Sequence, residues 1–283
     1  MSTAAYAVRP RPQISSPGWW ARCDLGEGRG MTSLFTTGTA PCIVVIGASG
    51  GLGASTWAAA LARRVAVHFG ECVLVDADVG GGGLDMTCGT EHLPGLRWPD
   101  LARLRGVTSG ERLVGALPRG EVPLLSAGGR GASVGASVVR DVLDSLRGVV
   151  PVVVDAGRPH TMGGEWVQGA HAVQVLSGLR ARQLADTEAL LSSLGAAAGV
   201  GHGSDGVGVG LITRSSGALG GDIDELIEHL GVPHLAHLRD DERVARESER
   251  GEWPGMRGPL RDTADHLVLD LMEAFGLARQ GAA

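Results

Sequence analysis

Lysine is absent from this 283-residue chain, so all 25 basic side chains are arginine. Chemistry that needs a lysine ammonium is thereby excluded. A GC-rich coding sequence yields such arginine-, alanine- and glycine-rich chains, but the chemical consequence holds whatever the cause. Positive charge is in deficit overall: the formal net charge is -6. No global basic field exists to gather nucleic acid or anionic lipid, so neither is expected as a partner. Cysteine is scarce, and Cys23, Cys42, Cys72 and Cys88 form no C-x-x-C pair, which removes the usual zinc and dithiol frameworks. Cys42 and Cys72 lie in apolar runs and are expected to be reduced core thiols. No apolar run approaches the about 18 residues that suggest a membrane span, and no signal-type segment is present. A cytoplasmic protein without a transmembrane segment is the expectation.

The apolar residues that are present, 43% of the chain, suffice for the core of one large α/β domain. Residues 1–40 are rich in Pro, Gly, Ser and Thr without sustained periodicity and read as a disordered tail. Met31 is an alternative natural start to Met1, because the Gly-Glu-Gly codons before it would be purine-rich like a ribosome-binding site. From residue 41 to 283 short Val-, Ile- and Leu-rich runs alternate with helical patterns. The candidate strands cover 42–47, 72–76, 122–127, 149–156, 172–177, 207–213 and 233–238. Helices are expected over 54–69, 134–147, 180–194, 222–230 and 260–277. Continuous apolar strands are buried on both faces, so the expected fold is a doubly wound, mainly parallel seven-stranded sheet. The last helix has an acidic rather than basic polar face, which argues for packing on its own domain or a partner rather than on a membrane.

The stretch "VIGASGGLGASTWAAALARR", residues 45–64, carries the chemistry. Its glycines, Gly47, Gly50, Gly51 and Gly53, fit either a dinucleotide turn or a phosphate-cradling P-loop. An acidic residue closes the next strand in both cases, and Asp76 supplies it. A short-chain dehydrogenase, however, needs a Tyr-x-x-x-Lys pair, whereas the single tyrosine is Tyr6 and lysine is absent. Ser55 and Thr56 stand where a P-loop places hydroxyls for Mg²⁺ and a phosphate oxygen. "VLVDAD" and "VVVDAG" both end apolar strands in aspartate, gathering Asp76, Asp78 and Asp155 at the carboxyl edge of the sheet, where open α/β sheets bind ligands. A triphosphate site is the better reading.

The segments "GASGGLGAST", "LVDADVGGGGLDMTCG", "LPGLRWPDLARLRG", "LVGALPRGEVPLLSAGGRG", "VVVDAGRP" and "ERGEWPGMRGPL" resemble those of the actinobacterial CpaE-like, or septum site-determining (Ssd), proteins. These belong to the MinD/ParA superfamily and are related to the TadZ pilus-localisation proteins. The resemblance runs from about residue 42 to 275. It implies a SIMIBI/MinD-like P-loop NTPase fold, with ATP or ADP and Mg²⁺ as cofactors. It also implies partners in cell division or in Flp-pilus and type II/IV secretion machinery, and recruitment to the septum or to membrane complexes. The deviant Walker A pattern of the family, K-G-G-x-G-K-[ST]-[ST], falls on Ser49 to Thr56, so Gly50, Gly51, Gly53, Ala54, Ser55 and Thr56 are the expected nucleotide-binding positions. Ser55 matches the Mg²⁺ hydroxyl and Thr56 an α-phosphate contact. Asp78 matches the switch I carboxylate that helps position water, and Asp155 the Walker B aspartate at the metal. Arg158, after the "DAG" turn, is a candidate to bring a guanidinium to the phosphates.

Both lysines of that pattern are replaced, by Ser49 and Ala54. A charge-assisted hydrogen bond contributes about 1.5–3 kcal/mol, so nucleotide binding is expected to be weak. Loss of a preorganised transition-state cation typically costs roughly 10²- to 10³-fold in rate. The sequence therefore points to a pseudo-ATPase or very slow ATPase acting through localisation. The alternatives are an active positioning ATPase using arginine in place of lysine, or a nucleotide-free protein-binding module. With Ser49 unable to bridge to a partner's phosphates, a homodimer would be held by apolar surface and be indifferent to nucleotide.

Overall fold

The computed structural model describes residues 40–79, 83–129, 133–157, 166–167, 169–198, 207–217 and 223–274. All of the expected N-terminal tail but Ala40, both candidate starts and Cys23 lie outside them. The chain begins with β1 (Cys42–Gly47), α1 (Ala54–Phe69), β2 (Val73–Asp76), α2 (Leu84–Thr87), α3 (Trp98–Leu101), α4 (Gly110–Ala116), β3 (Leu124–Leu125), α5 (Ala136–Arg147) and β4 (Val152–Asp155). It continues with β5 (Ala172–Gly178), α6 (Ala181–Ala198), β6 (Gly208–Ser215), α7 (Ile223–Leu230), β7 (His234–Arg239), α8 (Glu242–Glu249) and α9 (Pro259–Ala274). The seven strands form one sheet in the order β3-β2-β4-β1-β5-β6-β7, and every pairing is parallel.

The alternation of strand side chains builds two apolar layers, one on each face of the sheet. Cys42, Val44 and Ile46 of β1, with Val73 and Val75 of β2 and Val152 and Val154 of β4, pack with α4, α5 and α6. Ile43, Val45, Leu74 and Val153 face the other way, toward α1 and α9. The "VVIG" and "VVVD" runs are continuous because both faces are covered. Cys42 and Cys72 are buried free thiols, and burial raises both pKa values, that of Cys42 to about 11.

Helix α1 has an alanine-rich run on its buried side, Ala58–Ala59–Ala60 and Ala62, which lets it lie close on the sheet. Its Trp57 is fully buried and donates its indole N–H to Gln174 Oε1 at 2.7 Å. Helix α9 packs on α1 through Ala264, Leu267, Val268 and Leu271. Asp265 of α9 accepts from Arg64 and His68 of α1, and these partners hold its pKa low against the opposing effect of burial. The acidic last helix thus packs on its own domain.

The structure adds four short helices to the expected set: α2, α3, α4 and α8. Each has four to eight residues, and the four-residue α2 and α3 are too short to display a helical period. Local caps mark two of them: Ser109 accepts from the Arg112 amide and Asp241 from the Arg243 amide. The apolar run 122–127 supplies only a two-residue strand, Leu124–Leu125. Its other apolar residues are still buried, because burial and ladder pairing are separate properties.

At the amino edge of the sheet, His171 accepts the Cys42 amide through Nδ1 at 3.0 Å. Burial, helped by the nearby Arg147 charge, lowers its pKa to about 4. The folded state therefore binds fewer protons here than the unfolded chain does. The associated stability is present above the ordinary histidine range and is lost as pH falls toward 4. That loss amounts to up to about 3 kcal/mol. His171→Asn is expected to flatten the stability profile between pH 6.5 and 4.5, read by urea unfolding at each pH. A profile unchanged by the substitution would count against this assignment.

Candidate functional site

The loop between β1 and α1 and the ends of β2 and β4 meet at the carboxyl edge of the sheet. Two glycines set the loop: Gly51 and Gly53 have φ of 78° and 82°, a region that L side chains rarely adopt. A Cβ added at Gly50 or Gly51 would meet nothing within 4 Å, so this side of the loop borders open space. Helix α1 starts with Gly53 as its N-cap, without a side-chain cap and with no acidic residue in the first turn. Its N-terminal amides and the positive end of its dipole are thus not engaged by a carboxylate of its own. That is an anion-binding arrangement.

At this edge lie Ser55, Asp78 and Asp155, with Asp76 beside them. Ser55, in the first turn of α1, lies beside the Asp155 carboxylate at the end of β4 and favours its charged form. Asp155 also accepts the Gly157 amide at 3.1 Å. Its register partner on β2 is Asp76. Asp76 accepts the Asp78 amide at 2.9 Å and the Leu84 amide at 3.3 Å. Burial and the facing Asp155 charge push the Asp76 carboxyl up to about 7. Asp155 is also raised, mainly by burial and further by Asp78, against the pull of Ser55 and of its Gly157 bond. Asp78 itself is half-buried just beyond β2. Charge repelled in this way is what a divalent cation offsets.

These residues fit Mg²⁺ bound with a nucleotide. Among the described residues no group of three or more His, Cys, Asp and Glu side chains could hold a metal by itself. Mg²⁺ needs no such cage, since it keeps waters and takes one or two protein ligands beside substrate phosphates. Ser55 and Asp155 would supply those ligands. Gly50, Gly51, Gly53, Ala54 and Thr56 line the loop and the helix start beside them, as the motif requires. Arg158 lies outside the described residues. Arg63 and Arg64 point away from the loop, to Glu121 and Asp265.

Three residues at this site carry no motif. Asp186 of α6 accepts the Ser49 hydroxyl at 2.6 Å, so Ser49 is tied to its own chain. Arg214, at the end of β6, donates from Nη1 to the Leu52 carbonyl at 2.9 Å and from Nε to Asp240 at 2.8 Å. Asp186, Arg214 and Asp240 are more than a hundred residues from the loop in sequence, and only the fold joins them to it.

Solved structures share this architecture over most of the chain. A ParA family ATPase from Chlorobium tepidum TLS superposes with a TM-score of 0.67 at 18% identity, covering 83% of this chain and 99% of its own. The MinD cell division protein of Aquifex aeolicus gives a TM-score of 0.66 at 17% identity, covering 83% of this chain and 98% of its own. The fold is that of the MinD/ParA P-loop ATPases. The septum site-determining protein MinD from Pyrococcus horikoshii OT3, complexed with Mg-ADP, gives a TM-score of 0.60 at 17% identity over 85% and 99% of the two chains. Among curated proteins, the uncharacterized proteins MT3760 and Rv3660c of Mycobacterium tuberculosis are each 34% identical over 244 residues. The match takes in 85% of this chain and 66% of each relative, just under two thirds of their length. No family model matches the chain. Among the described residues no helix is long and apolar enough to cross a membrane.

Proposed function

We propose that this chain is a nucleotide-binding positioning protein of the MinD/ParA superfamily, of the CpaE-like or septum site-determining kind. In this reading its lysine-free loop makes it a pseudo-ATPase or very slow ATPase. The observation that carries the reading is the placement of Ser55 beside Asp155 at an uncapped helix N-terminus. It pairs the hydroxyl and carboxylate that a Mg-nucleotide needs, without a lysine to neutralise the phosphates. Ser55 and Asp155 would hold Mg²⁺, which when bound would offset the Asp155 and Asp76 charge. The loop amides would orient the phosphates, and Asp78 would stand toward the attacking water. Function would then come from a nucleotide-stabilised shape read by division or by pilus and secretion proteins. The Mg-ADP complex of the similar MinD supports the choice of cofactor.

Calorimetry with Mg-ATP and Mg-ADP, beside a phosphate-release assay, tests this. Dissociation constants are expected in roughly the micromolar-to-millimolar range, with little turnover. No heat and no thermal shift at millimolar nucleotide would leave only a protein-binding module. Ser55→Ala and Asp155→Ala are each expected to weaken binding mainly when Mg²⁺ is present. Equal losses with and without Mg²⁺ would refute their assignment to the ion.

The reading as an active ATPase with arginine for lysine draws on one observation, the Arg214 guanidinium against the loop. Its ion pair with Asp240 already compensates that charge, which favours slow turnover.

A further inference from the structure

Arg214 reaches the loop in a constrained way. Asp240, which anchors it, follows β7 directly and is itself held by a bond from its amide to the Ser215 carbonyl at 3.1 Å. The guanidinium fork thus joins the ends of β6 and β7 to the Leu52 carbonyl with two donors of one rigid plane. The loop passes so close that a Cβ at Gly53 would lie 2.6 Å from Nη1. The positive φ of Gly53 favours glycine there, and a side chain at 53 would displace the guanidinium. Leu52 is fixed on its other side by burial of its side chain.

The described chain has no cis peptide bond, and in a trans peptide the C=O and N–H point in opposite directions. With the Leu52 carbonyl turned to Arg214, the Gly53 N–H is turned away from the guanidinium. We propose that Arg214 is a positioning residue of the phosphate loop: anchored by Asp240, it fixes the Leu52–Gly53 peptide so that the Gly53 amide is a preformed phosphate donor. This rests on the nucleotide reading above for its ligand. It does not make Arg214 a stand-in for the missing lysine, because Asp240 neutralises the guanidinium and its donor goes to a carbonyl. A loop without a cation depends the more on amides already aimed.

The test uses the full chain as wild type, Arg214→Met, Arg214→Lys and Asp240→Asn. Amide exchange at residues 50–54 is read without nucleotide, and Mg-ATP, Mg-ADP and magnesium pyrophosphate are titrated by calorimetry. Arg214→Met is expected to speed exchange of the Gly53 amide and to weaken all three ligands alike, by about tenfold. Its melting temperature should stay near that of wild type, because exposed ion pairs contribute little. Arg214→Lys should fail to restore the loop, since an ammonium lacks the planar fork. Asp240→Asn should loosen the loop in the same sense but less, and it decides the matter if Arg214→Met does not fold. Unchanged Gly53 exchange in the variants would overturn the proposal. A loss confined to ATP would overturn it too, because the guanidinium would then be serving the γ-phosphate. So would a loss confined to the nucleotides, which would put it on the base. If the wild type binds no nucleotide, the proposed function fails, and the exchange rates still decide the role of Arg214.

Discussion

Ala54→Lys is expected to tighten Mg-ATP binding by roughly ten- to a hundredfold and to raise phosphate release by about 10²- to 10³-fold. Ala54 is the first residue of α1 and is only partly buried. In the proposed function this position is that of a P-loop lysine, which would join the loop amides, Ser55, Asp155 and Asp78. What is missing is charge. An ammonium at 54 would act on oxygens that become more negative in the transition state, so its effect on rate should exceed its effect on affinity. Calorimetry and a phosphate-release assay on the same preparation would measure both. Tighter binding without faster release would mean that Asp78 or a neighbour is not placed for hydrolysis. No change in either would refute the assignment of Ala54 to the phosphates.

Trp98→Ala should cost about 3–5 kcal/mol of stability, the usual price of deleting a large buried aromatic side chain. Trp98 is fully buried and opens α3. It packs edge-on against Trp166 with ring centroids 6.0 Å apart and donates its indole N–H to the Asp76 carbonyl at 2.7 Å. The residue thus supports the strand end that carries the site. Trp98→Phe keeps most of the apolar volume but orphans that carbonyl, and should cost about 1–3 kcal/mol. Chemical denaturation of the two variants measures each part. A Trp98→Phe protein as unstable as Trp98→Ala would mean the hydrogen bond, not the packing, dominates.

The acidic edge was legible in the sequence because each of its parts is local. Apolar runs that end in aspartate, as at Asp76 and Asp155, encode strands whose carboxyl ends carry charge. The glycines and hydroxyls from Gly50 to Thr56 encode a turn into a helix. Parallel pairing of β2 with β4 then had to bring the two aspartates level. The short helices were not legible, since α3 spans four residues and is held by the Arg97 amide bond to Asp100 at 2.8 Å and by Trp98. Its buried Arg97 donates to Ser126, Thr90 and Leu93, partners that no periodicity announces.

By itself the sequence determined the sheet-forming runs, the phosphate-type loop and the absence of any lysine to serve it, because hydrophobic period, glycine conformation and side-chain charge are properties of neighbouring residues. The tertiary structure alone decided what surrounds that loop. Ser49 meets Asp186 and Leu52 meets Arg214 across 137 and 162 residues of chain. Such contacts depend on the strand order, which places β5 and β6 on the far side of β1 from β4. An aspartate on a helix or an arginine at a strand end reads locally as a solvated charge, and only closure of the sheet brings it to the loop.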